Sequence, residues 1–390
     1  MRTENESPRG RIALMRALAR GDLSLSPRLQ SHLDLCLTCR NCERVCPAKV
    51  PYGRLIDNGR AFIQMQRTRP SAWHLVRQLG IDAVLPRPAV LRWLTKLMRA
   101  YQVSGLQRFL RSTQVLRLLR LQRWDGLLPV IPPQPAWQPV YRACGQPQGR
   151  VALFTGCVTG CLDRQTLMAT IHVLNILGYD VHVPRRQVCC GALYQHAGET
   201  QKASALMRTN VQVFNAEQVD TIISTASGCG AMLLEYPTCL PEEPAARSFA
   251  GRIRDISHFV LQSEWPPGAT LAPLEADIAV HTPCTLVNVL GHADSGLRLL
   301  ERIPGACPRA LPDNDFCCGA AGIYFLTQPT MANTLRARKL DTLGQMRPSI
   351  LATSNVGCAL HLQHGVREKR LNIEVLHPIV LVARQLGSSN

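Results

Sequence analysis

Residues 317–329 read CCGAAGIYFLTQP, and an earlier adjacent cysteine pair, Cys189-Cys190, is likewise followed by a glycine, Gly191. The neighbouring cysteines keep step with these pairs. Cys157 precedes the first pair and Cys284 the second, while Cys229 and Cys358 follow them. Matching cysteines are offset by 127 residues (157 to 284), 128 (190 to 318) and 129 (229 to 358). Three anchors at nearly one offset mark an internal duplication. Each copy has the form C-x31-32-CCG-x37-38-C.

Around each copy the chain alternates strand and helix patterns. RVALFTG (150–156), YDVHVP (179–184) and DTIISTA (220–226) read as strands, with helices over 163–178 and 198–218. The pattern restarts with ADIAVHTP (276–283), a helix over 285–303, a helix or helices over 320–346, and SILATSN (349–355). Such alternation predicts βαβ units and parallel sheets. The expected fold class is therefore α/β, with two pseudo-symmetric domains at 150–270 and 271–390. In each copy a cysteine stands just after a strand, where open α/β sheets gather their ligands. Gly191 and Gly319 let the backbone turn sharply and approach a bulky group.

These positions make Cys157, Cys189, Cys190 and Cys229, and then Cys284, Cys317, Cys318 and Cys358, candidate metal ligands. Three readings stand side by side. Free cysteine is often simply buried, zinc also suits four thiolates, and iron suits clustered cysteines in a reducing compartment. Two matching sets of four weigh against inert thiols, and vicinal CCG is not zinc-ribbon spacing. Cys144, Cys161, Cys239 and Cys307 read as ordinary thiols, with Cys144 and Cys161 near the first repeat cysteine. His361, three residues after Cys358, is a possible auxiliary ligand or proton carrier against a satisfied core histidine, and His281 is weighed in the same way.

Upstream, HLDLCLTCRNCERVCP (32–47) places cysteines at 36, 39, 42 and 46 before Pro47. This is the C-x2-C-x2-C-x3-C-P run that holds [4Fe-4S] clusters, in which the fourth cysteine serves the other cluster of a two-cluster protein. The run occurs once here. Cys36, Cys39 and Cys42 are expected to carry one cluster in a helical, ferredoxin-like segment over 1–70, and Cys46 is its least secure ligand. A basic helical and Pro-rich linker is expected over 71–149.

The charge is uneven. Residues 1–150 hold 25 Lys/Arg against 8 Asp/Glu, and the remaining 240 hold 19 of each. Within the linker, residues 85–124 interleave Leu, Trp, Phe and Val with Arg and Lys at helical spacing, broken near Ser104-Gly105. That stretch is either a docking face for an acidic partner or membrane surface, or a set of helices covering this chain's own core. Arg108, Arg111, Arg117, Arg120 and Arg123 are its candidate docking residues. The basic third lacks aromatic interleaving and any recognised nucleic-acid module, so nucleic acid is not an expected partner. No apolar run approaches the roughly 18–20 residues that cross a bilayer. MRTENESPRGRI has no apolar signal region, which predicts a cytoplasmic location.

With SPRGRI (7–12), TASGCGAMLLEY (225–236), HTPCTLVN (281–288) and TSNVGCALHL (353–362) in order alongside the cysteine runs, the chain resembles the iron–sulfur subunit of bacterial glycolate oxidase. That family belongs to the wider group with cysteine-rich CCG domains. The resemblance implies one cluster in the N-terminal segment and one or two more in the repeats. It also implies an electron-transfer role beside flavin-containing subunits that oxidise glycolate to glyoxylate, with no catalysis of that step by this chain. Electrons would pass towards a quinone-level acceptor at the inner membrane, with the protein peripheral on the cytoplasmic face. A lactate-oxidation or heterodisulfide-reductase-type subunit is the alternative. Two departures qualify the resemblance. Relatives often end each repeat in CxxC, whereas Met232 and His361 stand at those positions here. The family also carries a first ferredoxin run before SPRGRI, where this chain has MRTENE; a start codon placed too late is the favoured explanation, and a lost first cluster the other.

Overall fold

The computed structural model describes residues 3–66, 80, 82–84, 87–119 and 121–387. The expected boundary at 70–71 lies outside the described residues, as do Arg120 and the side chain of Arg123.

The chain begins with four helices, α1 (Pro8–Arg20), α2 (Pro27–Asp34), α3 (Asn41–Arg44) and α4 (Tyr52–Gln66). Local chemistry sets their ends. Ser7 caps α1 by accepting from the Gly10 amide at 2.9 Å, Pro8 follows it, and Gly21 closes the helix at φ +80°. Ser26 and Pro27 open α2 in the same manner. Leu18, Leu29, Leu33, Ile56 and Ile63 fill a small core with Cys36 and Tyr52 at its edge.

Next come the linker helices α5 (Pro88–Val103), α6 (Leu106–Ser112), α7 (Val115–Leu118) and α8 (Gln122–Leu127), interrupted at Ser104-Gly105 as the sequence suggests. Part of this stretch covers the chain's own core and part of it stays exposed. Leu91 packs on the first repeat's core and Leu116 is buried, whereas Trp93, Val103, Phe109 and Leu118 stay exposed.

The α/β body holds two sheets, ordered β1-β3-β2-β4-β5 and β7-β6-β8-β9. The first uses β1 (Val140–Tyr141), β2 (Gly149–Phe154), β3 (Tyr179–His182), β4 (Thr221–Ser224) and β5 (Ile253–Asp255). The second uses β6 (Ala276–His281), β7 (Ala306–Ala310), β8 (Ile350–Thr353) and β9 (Glu374–Leu376). All pairings between named strands are parallel except β1, an antiparallel edge strand on β3. The stretch expected as a helical and Pro-rich linker over 71–149 therefore also contributes a strand. The duplication extends to register: Val151 faces Thr221 and Ile278 faces Ile350, while Gly149 faces Tyr179 and Ala276 faces Ala306.

Side chains alternate across the central strands, so each sheet builds two cores. Val151, Leu153, Ile278 and Val280 face a core shared by both repeats. Helix α9 (Val158–Leu162) and α10 (Arg164–Ile176) follow β2, and the C-terminal helix Pro378–Gln385 packs across α10, burying Ile379, Leu381 and Val382 in that shared core. Ala152 and Phe154 turn the other way, onto a core that includes Cys157, Cys189 and Cys190; Ala279 does the same towards Cys318 and Cys358. The cysteines thus line the outward-facing cores. The helix expected over 285–303 is in two pieces: a π-helical turn at Leu286–Leu290 and a short helix at Ser295–Leu300. Gly291, at φ +74°, separates them.

Candidate metal centres

Each quartet assembles at the carboxyl ends of the two central strands. Backbone turns carry Cys157 two residues past Thr155 and Cys284 two residues past Thr282, and one amide side chain stitches each turn. Gln187 accepts from the Thr155 amide at 2.8 Å and donates to the Leu153 carbonyl at 3.2 Å. Asn314, 127 residues later, accepts from the Thr282 amide at 3.0 Å and donates to the Val280 carbonyl at 3.0 Å. Sequence reading missed this pair, although the repeat offset aligns them.

The CCG turns need their glycines. Gly191 and Gly319 lie at φ +87° and +91°, and a Cβ on Gly319 would sit 2.6 Å from the Ala332 carbonyl oxygen. In the first quartet, Cys157 Sγ lies 3.4 Å from Cys189 Sγ. Cys190 contacts both Cys189 and Cys229. In the second, Cys284 contacts Cys317, and Cys318 contacts Cys317 and Cys358. The predicted quartets are therefore brought together as predicted sets. Contact with the neighbouring thiol, with burial, holds Cys157 and Cys284 well above the ordinary thiol range.

That electrostatic state is the test of fit. Crowded thiolates repel one another, which raises Cys157, Cys189, Cys190, Cys284, Cys317 and Cys318; a cationic core would relieve the repulsion and bind as protons leave. Closely spaced, polarizable thiols with backbone turned to admit a bulky group suit iron–sulfur clusters, and the residues present fit them.

The quartets differ in one wall. His281 groups with Cys318 and Cys358, their ligand-capable atoms all within 4.8 Å of one another, whereas the first repeat has Phe154 at the equivalent place. His281 Nδ1 meets Thr353 Oγ1 at 2.8 Å, and burial lowers the ring's pKa to about 3, so the imidazole is neutral. His361 lies elsewhere: its Nε2 faces the Ala332 carbonyl at 3.3 Å, and burial lowers it to about 4. Among the described residues the histidine beside the second quartet is His281, and the +3 position His361 belongs to the core. Met232, at the matching position of the first repeat, is also buried in the core. Asn355 donates to Cys358 Sγ at 3.3 Å.

The N-terminal loop is compact. Thr38 and Arg40 occupy left-handed conformations at φ +51° and +61°, which wraps the chain tightly between Cys36 and Cys42. The thiol charges acting most strongly on Cys42 are those of Cys39 and Cys36, and burial raises Cys39 and Cys42 to about 11. Tyr52 Oη donates to Cys36 Sγ at 3.7 Å. Cys46 is half-buried at the end of the following turn, its amide donating to Glu43. Of the remaining thiols, Cys144 and Cys307 are exposed and Cys239 is half-buried; Cys161 is buried, close enough to feel the charge of Cys157.

Comparison with known proteins agrees with this geometry. The "Cysteine-rich domain" (CCG) family matches residues 151–234 and 278–363, and "Glycolate oxidase iron-sulfur subunit, linker region" matches 74–128. The chain is 32% identical, over 95% of its length and 86% of the relative's, to the probable glycolate oxidase iron–sulfur subunit of Bacillus subtilis. It is 33% identical to the glycolate oxidase iron–sulfur subunit of Escherichia coli, over 93% of this chain and 85% of that one. Lactate utilization protein A of Bacillus licheniformis is 27% identical over 58% of this chain and 96% of its own length. With both CCG repeats, the linker and two such relatives matched over nearly the whole chain, the protein belongs to the glycolate oxidase iron–sulfur subunit family.

Proposed function

We propose that this chain is the non-catalytic electron carrier of a glycolate-oxidising complex, taking electrons from a flavin-bearing subunit and passing them towards a quinone-level acceptor. The observation that carries this reading is the convergence of two largely buried four-thiol sets and a three-thiol loop in one body. Cys36, Cys39 and Cys42, with Cys46 at the loop's end, would hold one [4Fe-4S] cluster. The quartets 157/189/190/229 and 284/317/318/358 would hold one or two more. When bound, such clusters supply one-electron storage at thiolate-held iron. The chain's own residues fix the thiols, exclude water and present a surface to partners.

The linker supports a docking role. Trp93, Phe109 and Leu118 are 64%, 61% and 83% exposed, with Arg92, Lys96, Arg108 and Arg117 in the same helices. Exposed apolar and basic side chains of this kind suit a partner surface or the anionic cytoplasmic face of the inner membrane. No described helix is long and apolar enough to cross a membrane.

The test is to purify the chain anaerobically with a flavin-bearing partner and add glycolate. Glycolate-dependent bleaching of the chain's visible absorption is expected. Bleaching by lactate and not by glycolate would move the assignment to the lactate-oxidation alternative, and bleaching in the absence of the flavin subunit would overturn the carrier role.

A further inference from the structure

The N-terminal loop touches the two repeats in different ways. Its cysteine-bearing part leans on the second repeat. Asn288, four residues after Cys284, donates to the Cys39 carbonyl at 2.7 Å. Tyr324, five residues after Gly319, donates to the Leu35 carbonyl at 3.3 Å. Helix α3, which carries Cys42, packs on the π-helical turn Leu286–Leu290. Contacts with the first repeat are made chiefly by α4 instead. Arg60 donates to the His196 carbonyl at 3.0 Å, Asp57 meets His196 Nδ1 at 3.1 Å, and Gln64 donates to the Ala197 carbonyl at 3.1 Å. Arg40 is the loop's own link to that side, paired with Glu235 at 2.5 Å.

The electrostatics follow the contacts. Cys39 feels the charge of Cys284 more strongly than that of Cys36, and Cys317 feels Cys39 in turn. The Tyr324 phenol lies within reach of both Cys36 and Cys317. In the first repeat, the thiol charges acting on Cys189 and Cys190 are those of that quartet's own members.

The second repeat also borders the first. The π-helical turn packs on the helix Ser227–Leu234 that carries Cys229, Thr285 donates to the Ser227 hydroxyl at 2.9 Å, and the Ser227 amide donates to the Ser354 carbonyl at 3.0 Å. The second repeat therefore touches both the N-terminal loop and the helix that carries Cys229.

From these contacts we infer that the second repeat's quartet, Cys284, Cys317, Cys318 and Cys358, is the direct one-electron exchange partner of the centre held by Cys36, Cys39 and Cys42, with Asn288 and Tyr324 as positioning residues. The inference rests on the iron–sulfur reading above. With clusters held at these thiols, each exchange would move one electron, the donor being oxidised as its neighbour is reduced, with no bond formed or broken. Electron tunnelling falls steeply with separation, so the nearer repeat carries the exchange.

Electron paramagnetic resonance of the full, iron-loaded chain, chemically reduced without partners, reads this directly. The N-terminal centre's signal is expected to show spin–spin broadening and fast relaxation. Cys317→Ser should abolish both, while Cys189→Ser leaves them in place. Asn288→Ala and Tyr324→Phe keep every cysteine and should weaken the interaction; they serve if Cys317→Ser does not fold. A redox titration gives a second readout, with the N-terminal potential moving in Cys317→Ser and staying in Cys189→Ser. An interaction absent from the wild-type chain, or lost in Cys189→Ser and kept in Cys317→Ser, overturns the inference. Iron analysis separates this failure from that of the functional reading, since a chain without iron fails the latter.

Discussion

Single residues in this protein answer to close backbone approach and to burial. Gly319 sits at φ +91° with the Ala332 carbonyl where a Cβ would go, and Gly191 sits at φ +87° with its nearest neighbour at 3.3 Å. Gly319→Ala should lower stability by about 2–4 kcal/mol, and Gly191→Ala by about half of that, read as shifts in denaturant midpoint. Equal, negligible shifts would contradict the cradle. Asp255 responds to pH. It caps the helix Ile256–Gln262, accepting from Ser257 and His258, and burial pushes its carboxyl up to about 6 while Oδ2 has no partner. The folded state thus binds a proton more tightly than the unfolded one, so this group's contribution falls as pH rises through roughly 4 to 6. Asn caps as well as Asp. Asp255→Asn should therefore stabilise the chain by about 1–3 kcal/mol at pH 7.5, the gain shrinking towards pH 4 in urea titrations at both values.

At the scale of elements, much was legible because the signals repeat. The CCG offset located both quartets, and strong apolar runs located β2, β3, β4, β6 and β8. The edge strands β5 and β9 are three residues long, and β7 contains Pro308, tolerated because it lies at a sheet edge. None of these carries a periodic pattern long enough to read. His281 was harder than His361 to rank, because only the sheet register shows which histidine reaches the thiols. The linker shows the same division. Its helical period was visible, but the Gln102 clamp, donating to the Pro129 carbonyl at 2.8 Å and accepting from the Ile131 amide at 2.9 Å, joins residues 27 and 29 positions apart. Gln102→Ala should cost about 1–3 kcal/mol in chemical denaturation, since it leaves that backbone without its partners. By contrast, Trp93→Ser, Phe109→Ser and Leu118→Ser combined should leave the melting transition in place and reduce sedimentation with anionic vesicles or retention by the flavin partner. Unchanged association in both assays would remove the docking role.

The whole molecule is a pseudo-symmetric pair of sheets sharing one core, with the N-terminal helices seated across both repeats and the excess positive charge confined to residues 1–150. Because Ile379 and Leu381 join the first repeat's Leu167, Ile171 and Leu174 in that core, stability is common to both halves. Ile379→Ala should cost about 2–5 kcal/mol and shift both quartets' metal retention together, checked by denaturation and by iron content. Burial and neighbouring thiols raise Cys157, Cys190, Cys284, Cys317 and Cys318 well above the ordinary thiol range, and a cationic core bound there would take the place of their protons. The most direct test of this account is metal and acid-labile sulfide analysis of the chain purified without oxygen. The account predicts a brown protein carrying iron with inorganic sulfide, with iron falling in Cys317→Ser and in Cys189→Ser alike. A colourless protein that holds zinc in place of iron would contradict it.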